Sequence, residues 1–178
     1  MLLARFKQFT MLKNVFILCF LTIICLDLKA QANASQKLIS DSIEQVKTLM
    51  RKNGSVTSYA IGFDGTLSNQ FQRFTYLLNH LNTDEFLSLM NDTSTCLRIY
   101  AYAGLTYNRY KKIDLIKTHF QTDSTLIPYM AGCFGGNLKA YTIISNLKQW
   151  YNKTNVTFSL NQQNQSRAFW YKNFVFRD

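Results

Sequence analysis

Residues 91–108, NDTSTCLRIYAYAGLTYN, constrain the fold more than any other stretch of this chain. Their apolar side chains recur at intervals of three and four positions, at Cys96, Ile99, Tyr100, Ala103 and Tyr107. This spacing places them on one face of an α-helix. The polar residues 92–94 supply side-chain oxygens that accept hydrogen bonds from the first turn of a helix. The stretch therefore predicts an amphipathic helix.

The chain repeats this pattern thirty residues later. With that shift Ile99 matches Tyr129, Tyr100 matches Met130, and Ala103 matches Cys133. A shorter apolar-periodic segment precedes each copy, at residues 84–90 and 113–120. The repeated unit is thus predicted to be a helix, a polar turn and a second helix, with the second copy of the longer helix near residues 125–133.

The segment DEFLSLMNDTSTCLRIYAYAGL resembles a HEAT or armadillo repeat, in which a polar turn with Asp or Asn precedes a helix that carries an Arg and small residues. The resemblance covers residues 67–150 and extends to exported bacterial HEAT-like proteins of unknown function. It implies an all-α, short HEAT-like α-solenoid, built from stacked helix pairs. It also implies a scaffold that binds other proteins.

Composition agrees with helices, because one proline and seven glycines leave few chain breakers. Further apolar-periodic segments predict helices over residues 40–52, 67–81 and 137–152. We expect about six helices in a right-handed stack over residues 35–152, followed by an irregular or hairpin-like cover at residues 153–178. Residues 55–68 show a weak alternation at Tyr59, Ile61 and Phe63, which fits either a strand or an apolar loop.

Residues 1–34 have the pattern of a signal peptide. Lys13 precedes an apolar run at residues 15–26, and small residues at 30–34 offer A-x-A-like cleavage sites. The run is shorter than the ~20 residues that span a bilayer. We expect a mature N-terminus between Gln31 and Ser35 and a secreted or periplasmic protein. An uncleaved N-terminal anchor is the alternative.

Two short motifs suggest hydrolytic chemistry. FDGTL, which contains Asp64, resembles the D-x-D-G-T-L loop of haloacid-dehalogenase-type phosphatases, but Gly62 occupies the place of the nucleophilic carboxylate. Asp64 is therefore interpreted as a residue at the start of a helix. AGCFGG, which contains Cys133, has the small-residue setting of a cysteine nucleophile. Because Cys133 continues an apolar stripe, we interpret it as a small buried residue in a helix that the glycines end.

The remaining titratable residues give no recognisable site. His80 and His119 have no nearby pairing in the sequence, and the cysteines and histidines lack the spacing of zinc ligands. We therefore predict no metal and no cofactor. Cys96 and Cys133 are predicted to stay unpaired, because they differ by seven positions along neighbouring parallel helices and would lie roughly 13 to 15 Å apart.

One surface row is a candidate for partner binding. On the face opposite the apolar stripe, Arg98, Tyr102 and Arg109 lie at i, i+4 and i+11, and such basic and aromatic residues are enriched at protein interfaces. The cations Arg109, Lys111 and Lys112 fall between helices. They form either a solvated turn or an anion site.

These features predict an exported, non-catalytic binding or scaffold protein with a protein partner. The formal charge of +10 is spread along the chain without a nucleic-acid-reading motif, so no nucleic acid is expected, and no membrane after signal cleavage. Two alternatives stay open. One is a hydrolase of unrecognised type that uses Cys133 or Asp64, and the other is a membrane-anchored structural protein of the cell envelope.

Overall fold

A computed structural model describes residues 29, 31, 33 and 35–150, with side chains as far as Leu147. The chain divides into two compact units, Met1–Ser42 and Ile43–Asp178. In the first unit residues 35–42 are helical. The predicted apolar run of the signal peptide and the predicted C-terminal cover lie outside the described residues. Within the described part of the chain, no helix is both long and apolar enough to cross a bilayer.

The described part of the second unit contains six helices and four strands. The first helix, α1, covers residues 43–53. The other elements are, in chain order, β1 (Val56–Ile61), β2 (Thr66–Leu67), α2 (Asn69–His80), α3 (Thr83–Leu89), α4 (Thr95–Tyr107), α5 (Ile113–Thr118), β3 (Leu126–Gly132), β4 (Phe134–Lys139) and α6 (Ala140–Trp150). The fold is therefore mixed α/β.

The four strands form one sheet in the order β2-β1-β3-β4. The central pair is parallel, with Val56 opposite Tyr129, whereas β1–β2 and β3–β4 are antiparallel. Parallel strands need a crossover connection. Here the connection contains β2 and the helices α2 to α5, and the next helix, α6, packs against β3, β4 and α4.

The prediction of an all-α HEAT-like α-solenoid is wrong, because the chain has a mixed four-stranded sheet. The second copy of the repeat is helical only in α5. Its longer predicted helix is instead the strand β3, which turns at Cys133 into β4. Pro128 lacks a backbone N–H and disfavours a helix interior. Inside β3 the exposed Leu126 and Pro128 alternate with the buried Ile127, which is the period of a strand.

The first copy of the repeat is a helical hairpin, as predicted. Asn82 and Glu85 form a capping box at the start of α3, since each side chain accepts a hydrogen bond from the other residue's backbone N–H. Gly104 of α4 lies directly against the ring of Phe86 in α3, and a Cβ at this position would approach the ring to 2.5 Å. This glycine therefore sets the close approach of the two helices.

Helix α2 is the centre of the core. Every residue from Gln70 to Leu77 is buried, so the helix is covered on all sides. The Phe74 ring packs against Tyr100 of α4 with centroids 5.3 Å apart. The buried Tyr100 hydroxyl accepts a hydrogen bond from the Thr57 backbone N–H at 3.0 Å. The side chains of α2 and α4 therefore fix strand β1, and with it the turn that follows β1.

Two ion pairs connect helices to loops, one at the α3–α4 turn and one at the loop before β3. Arg51 of α1 donates two hydrogen bonds to the same oxygen of Asp92 in the α3–α4 turn, at 2.7 and 3.2 Å. Arg98 of α4 donates to Asp123, in the loop before β3, at 2.7 Å. Each aspartate also accepts a hydrogen bond from a backbone N–H two residues later, those of Ser94 and Thr125. The two turns therefore share one local design.

Candidate binding surface

Two tight turns end the sheet on one side. The β1–β2 turn contains Gly62 and Gly65, with φ of 77° and 67°, and the β3–β4 turn begins at Gly132, with φ of 55°. Glycine adopts this left-handed region without the steric penalty that a Cβ brings. Each glycine-bearing turn reverses the chain within a few residues. The residues of these turns therefore lie beyond the end of the sheet.

The two turns are in contact with each other. The Gly62 N–H donates to the carbonyl of Gly132 at 3.0 Å, and the Cys133 thiol lies 3.6 Å from the carbonyl of Gly62. The Phe63 side chain is 96% exposed and the Phe134 side chain is 80% exposed. We call Phe63, Cys133 and Phe134 the aromatic tip. Phe63 lies in the β1–β2 turn and Phe134 is the first residue of β4, so two large rings face water at the same end of the sheet. Neighbouring exposed apolar groups of this kind mark interaction sites.

Asp64 lies in the β1–β2 turn and does not start a helix, so its predicted role is wrong. Its carboxylate accepts hydrogen bonds from the Thr66 hydroxyl at 2.6 Å and from the Thr66 N–H at 3.2 Å. These bonds lower the pKa of Asp64 below the ordinary carboxyl value. Helix α2 begins two positions after Leu67, and its N-cap is Ser68, whose hydroxyl accepts from the Phe71 N–H. Asp64 thus stabilises the turn that carries Phe63.

Cys133 is exposed in the turn between β3 and β4, whereas the sequence had predicted a buried position in a helix. Cys96 is the opposite case. It is buried in α4, where burial raises the pKa of its thiol to about 12, and the thiol donates to the Ser55 carbonyl at 3.0 Å. Both thiols are free. The premise of neighbouring parallel helices was wrong, because one cysteine lies in a helix and the other in a hairpin turn.

The histidines take no part in the aromatic tip. His80 is the last residue of α2, where its Nδ1 lies 2.8 Å from the Tyr76 carbonyl and its ring packs on Tyr76 at 4.1 Å. His119 is the C-cap of α5. Among the described residues, no group of three or more His, Cys, Asp or Glu side chains is arranged to hold a metal ion.

The predicted row of Arg98, Tyr102 and Arg109 does not form one exposed surface. Arg98 is bound to Asp123 and to the carbonyl of Asp92. Tyr102 is only 7% exposed, and its ring packs edge-on against Phe120. Arg109 alone of the three is an exposed residue. A role for this residue in partner binding stays a prediction.

Arg109 occupies a special position at the end of α4. The N–H of Tyr110 donates to the Leu105 carbonyl at 2.9 Å, and the N–H of Arg109 donates to the Thr106 carbonyl at 3.1 Å. This pair of bonds is the Schellman motif. The residue after the helix cap in that motif is usually glycine, because its φ is positive. Here it is Arg109, with φ of 55°, the one non-glycine residue in the described chain with positive φ.

The sequence interpretation missed the aromatic tip. Both rings lie next to a glycine in the chain, in Gly62-Phe63 and Phe134-Gly135. A phenylalanine next to a glycine, a residue typical of turns, is therefore the local signal in the sequence. We compared the chain with protein-family models, with curated proteins and with solved structures, and none of these comparisons finds a match. The function is accordingly inferred from the geometry of the described residues.

Proposed function

We propose that this chain is an exported, non-catalytic binding protein that holds a protein partner at the aromatic tip. The observation that carries the proposal is the exposure of Phe63, in the β1–β2 turn, and of Phe134, the first residue of β4, where the two turns are hydrogen-bonded to each other. Aromatic side chains are enriched at the centres of protein interfaces, where they supply much of the binding free energy. An exposed pair of rings has its best physical account as part of such a contact.

The tip is held in place before a partner arrives. The Gly62–Gly132 hydrogen bond joins the two turns, and the carboxylate of Asp64 bonds within its own turn. Strand β1 behind the tip is fixed to the core through the Thr57–Tyr100 bond. A preorganised contact surface loses less conformational entropy on binding than a loop that must first be ordered. This supports a docking role for the tip.

The hydrolase alternative has weaker support, although both of its candidate residues lie at this end of the sheet. A thiol nucleophile needs a base within hydrogen-bond reach, and the Cys133 thiol contacts the backbone carbonyl of Gly62. The lowered pKa of Asp64 makes its carboxylate a weaker base. Cys133 and Asp64 are also both exposed to water. Catalytic groups gain strength where water is excluded.

The test is capture of a partner from the native cell envelope with the mature protein as bait. We expect the double variant Phe63→Ser, Phe134→Ser to lose the partner that the wild type captures, and to keep the wild-type melting temperature because both rings are exposed. Leu126→Ser is the matched control, since Leu126 is a 60% exposed residue at the other end of the same β-hairpin. A partner captured equally by all three proteins would refute the proposed role of the tip.

Export is tested separately. The residues 15–26 and the small residues that follow support cleavage, so mass spectrometry of the exported protein should find an N-terminus between Gln31 and Ser35. A mature chain that still contains residues 15–26 would favour the membrane-anchored alternative. That result would not bear on the aromatic tip, which the capture experiment tests.

A further inference from the structure

The turn between α4 and α5 is a concentrated positive patch. Residues 107–112, which we call the basic turn, read YNRYKK and contain three cations and no carboxylate. Arg109, Lys111 and Lys112 are all exposed, and the Tyr107 side chain beside them is 36% exposed. Within the part of the chain that the structure describes, none of the three cations forms an ion pair. Their charge is thus available to a partner.

The backbone at Arg109 is strained. A residue with a Cβ in the left-handed region is disfavoured relative to glycine, which is the ordinary residue at this position of a Schellman motif. Arg109 nevertheless occupies it, with φ of 55°. Strained residues persist where the surrounding structure holds them, and they cluster at binding sites. The Tyr110–Leu105 hydrogen bond that closes the motif fixes the direction in which Arg109 leaves the helix.

Electrostatic interactions within the fold do not favour cations at the positions of Lys111 and Lys112. Lys112 is the N-cap of α5 and makes no side-chain capping bond, and Lys111 directly precedes it. The N-terminus of a helix carries partial positive charge, so cations there are unfavourable. Asp114 in the first turn of α5 compensates for one charge only. The patch therefore retains mutual repulsion that an anionic partner would relieve.

We propose that the basic turn binds an acidic segment of a protein partner, with Arg109 as the anchor. The inference rests on the proposed function, because it assumes that the chain is a protein-binding module. The guanidinium of Arg binds a carboxylate with two parallel hydrogen bonds, and Arg and Tyr are enriched at interface hot spots. Three cations are fewer than the roughly four to eight that mark lipid-binding clusters. An acidic peptide therefore fits this patch better than an anionic membrane.

The test is a titration of the mature protein with a fluorescently labelled oligoglutamate peptide at low and at physiological salt. We expect Arg109→Gly to weaken binding about tenfold, the loss of one charge-assisted bidentate contact. The same variant should melt at a higher temperature than the wild type, since glycine relieves the strain. A residue retained for structure alone would not combine greater stability with weaker binding. Unchanged affinity of Arg109→Gly would overturn the proposal.

A charge-matched pair of variants separates the patch from net charge. Lys111→Ser, Lys112→Ser should weaken peptide binding several-fold, whereas Lys117→Ser, Lys139→Ser, which removes the same charge elsewhere, should change it less than about twofold. Equal losses in the two variants would mean attraction by net charge only, and would overturn the proposal. The proposal would also be overturned if the protein bound phosphatidylglycerol vesicles or inorganic phosphate more tightly than the peptide, and if Arg109→Gly abolished that binding.

Failure of the aromatic tip and failure of the basic turn can be distinguished by experiment. Phe63→Ser, Phe134→Ser should retain wild-type affinity for oligoglutamate, because the aromatic tip carries no cation. A chain that binds the peptide through Arg109 but shows no tip-dependent capture would refute the tip and support the basic turn. Tip-dependent capture together with peptide affinity that Arg109→Gly leaves unchanged would refute the basic turn and support the tip.

Discussion

Residues 83–107 and 113–139 carry similar apolar spacing and fold differently. The first region is the helical hairpin α3–α4, whereas the second is one short helix followed by the hairpin β3–β4. The polar turns inside them are alike, since Asp92 and Asp123 each bind an arginine and a backbone N–H two residues later. The difference lies after the turn. A turn of this design therefore does not determine which element follows it.

The deciding residues are few. After Asp92 the chain continues without proline, and Gly104 is tolerated because it permits contact with Phe86. After Asp123 the chain meets Pro128, which lacks a backbone donor, and then Gly132 with a positive φ. Proline and glycine both disfavour a helix interior. Pro128 and Gly132 thus outweigh the apolar pattern after Asp123.

The strongest test of this comparison uses the matched positions Ala103 and Cys133. Ala103 is 5% exposed in the core, so Ala103→Asp buries an unpaired carboxylate and should cost about 3 to 5 kcal/mol of unfolding free energy. Cys133→Asp lies in an exposed turn and should change it by less than about 0.5 kcal/mol. Urea denaturation measures both. Equal costs would mean that Cys133 is buried after all, as the helical repeat required.

The next pair, also thirty residues apart, is Gly104 and Phe134. Gly104→Ala forces a methyl group against the Phe86 ring and should cost about 1 to 3 kcal/mol. Phe134→Ala removes an exposed ring and should be nearly neutral. Thermal melts of the two variants against wild type show the contrast. A neutral Gly104→Ala would show that α3 and α4 are not in close contact.

A smaller effect is expected where the two regions are alike. Asp92→Ala leaves Arg51 without its carboxylate and should cost about 1 kcal/mol, because the Arg51 side chain is partly open to water. Asp123→Ala should cost less, because Arg98 keeps its bond to the Asp92 carbonyl. The matched controls are Asp92→Asn and Asp123→Asn, which keep an acceptor for the backbone N–H. A larger cost for Asp123→Ala would reverse the ranking of the two turns.

The same aspartates set the acid sensitivity. Burial raises the pKa of both carboxyls, but hydrogen bonds and nearby arginines outweigh it, and the net pKa of each lies below its ordinary value of 3.8. Their stabilisation is therefore complete above that value and declines as the pH falls through the folded-state pKa. Unfolding free energy should be flat near neutral pH and drop below about pH 4. Asp92→Asn, Asp123→Asn should flatten that drop. If the unfolding free energy of this variant fell with pH as it does in the wild type, the acid sensitivity would not come from Asp92 and Asp123.

The sequence predicted the helical part of the fold because periodicity and caps are local signals. The helix start at Asn82 follows directly from side-chain chemistry, whereas Ser94 is the N-cap of α4 without a side-chain capping bond. It did not predict the sheet, because β3 pairs with β1, which lies far away in the chain, and no local pattern reports such pairing. The single alternating pattern, at Tyr59 and Ile61, fitted an apolar loop as well as a strand.

At the aromatic tip, the sequence indicated titratable residues, and the structure places exposed phenylalanine rings beside them. Asp64 and Cys133 were singled out as candidate reactive groups. Cys133 belongs to the aromatic tip and Asp64 adjoins it. Phe63 and Phe134 were not singled out, because a phenylalanine is expected in the core and exposure is set by tertiary packing. Of the basic residues, Arg109 was identified, but its strained conformation depends on backbone geometry that spacing does not reveal.

The parallel pairing of β1 with β3 also implies an order of events in folding. Ser58 and Gly132 are hydrogen-bonded although they are 74 positions apart, so the centre of the sheet closes only after almost the whole described chain is present. The hairpin α3–α4 needs contacts among neighbours alone and is expected to form early. Non-local pairing carries the loop-closure cost and slows folding. A nascent chain that is threaded through a membrane N-terminus first would thus expose β1 until β3 has emerged.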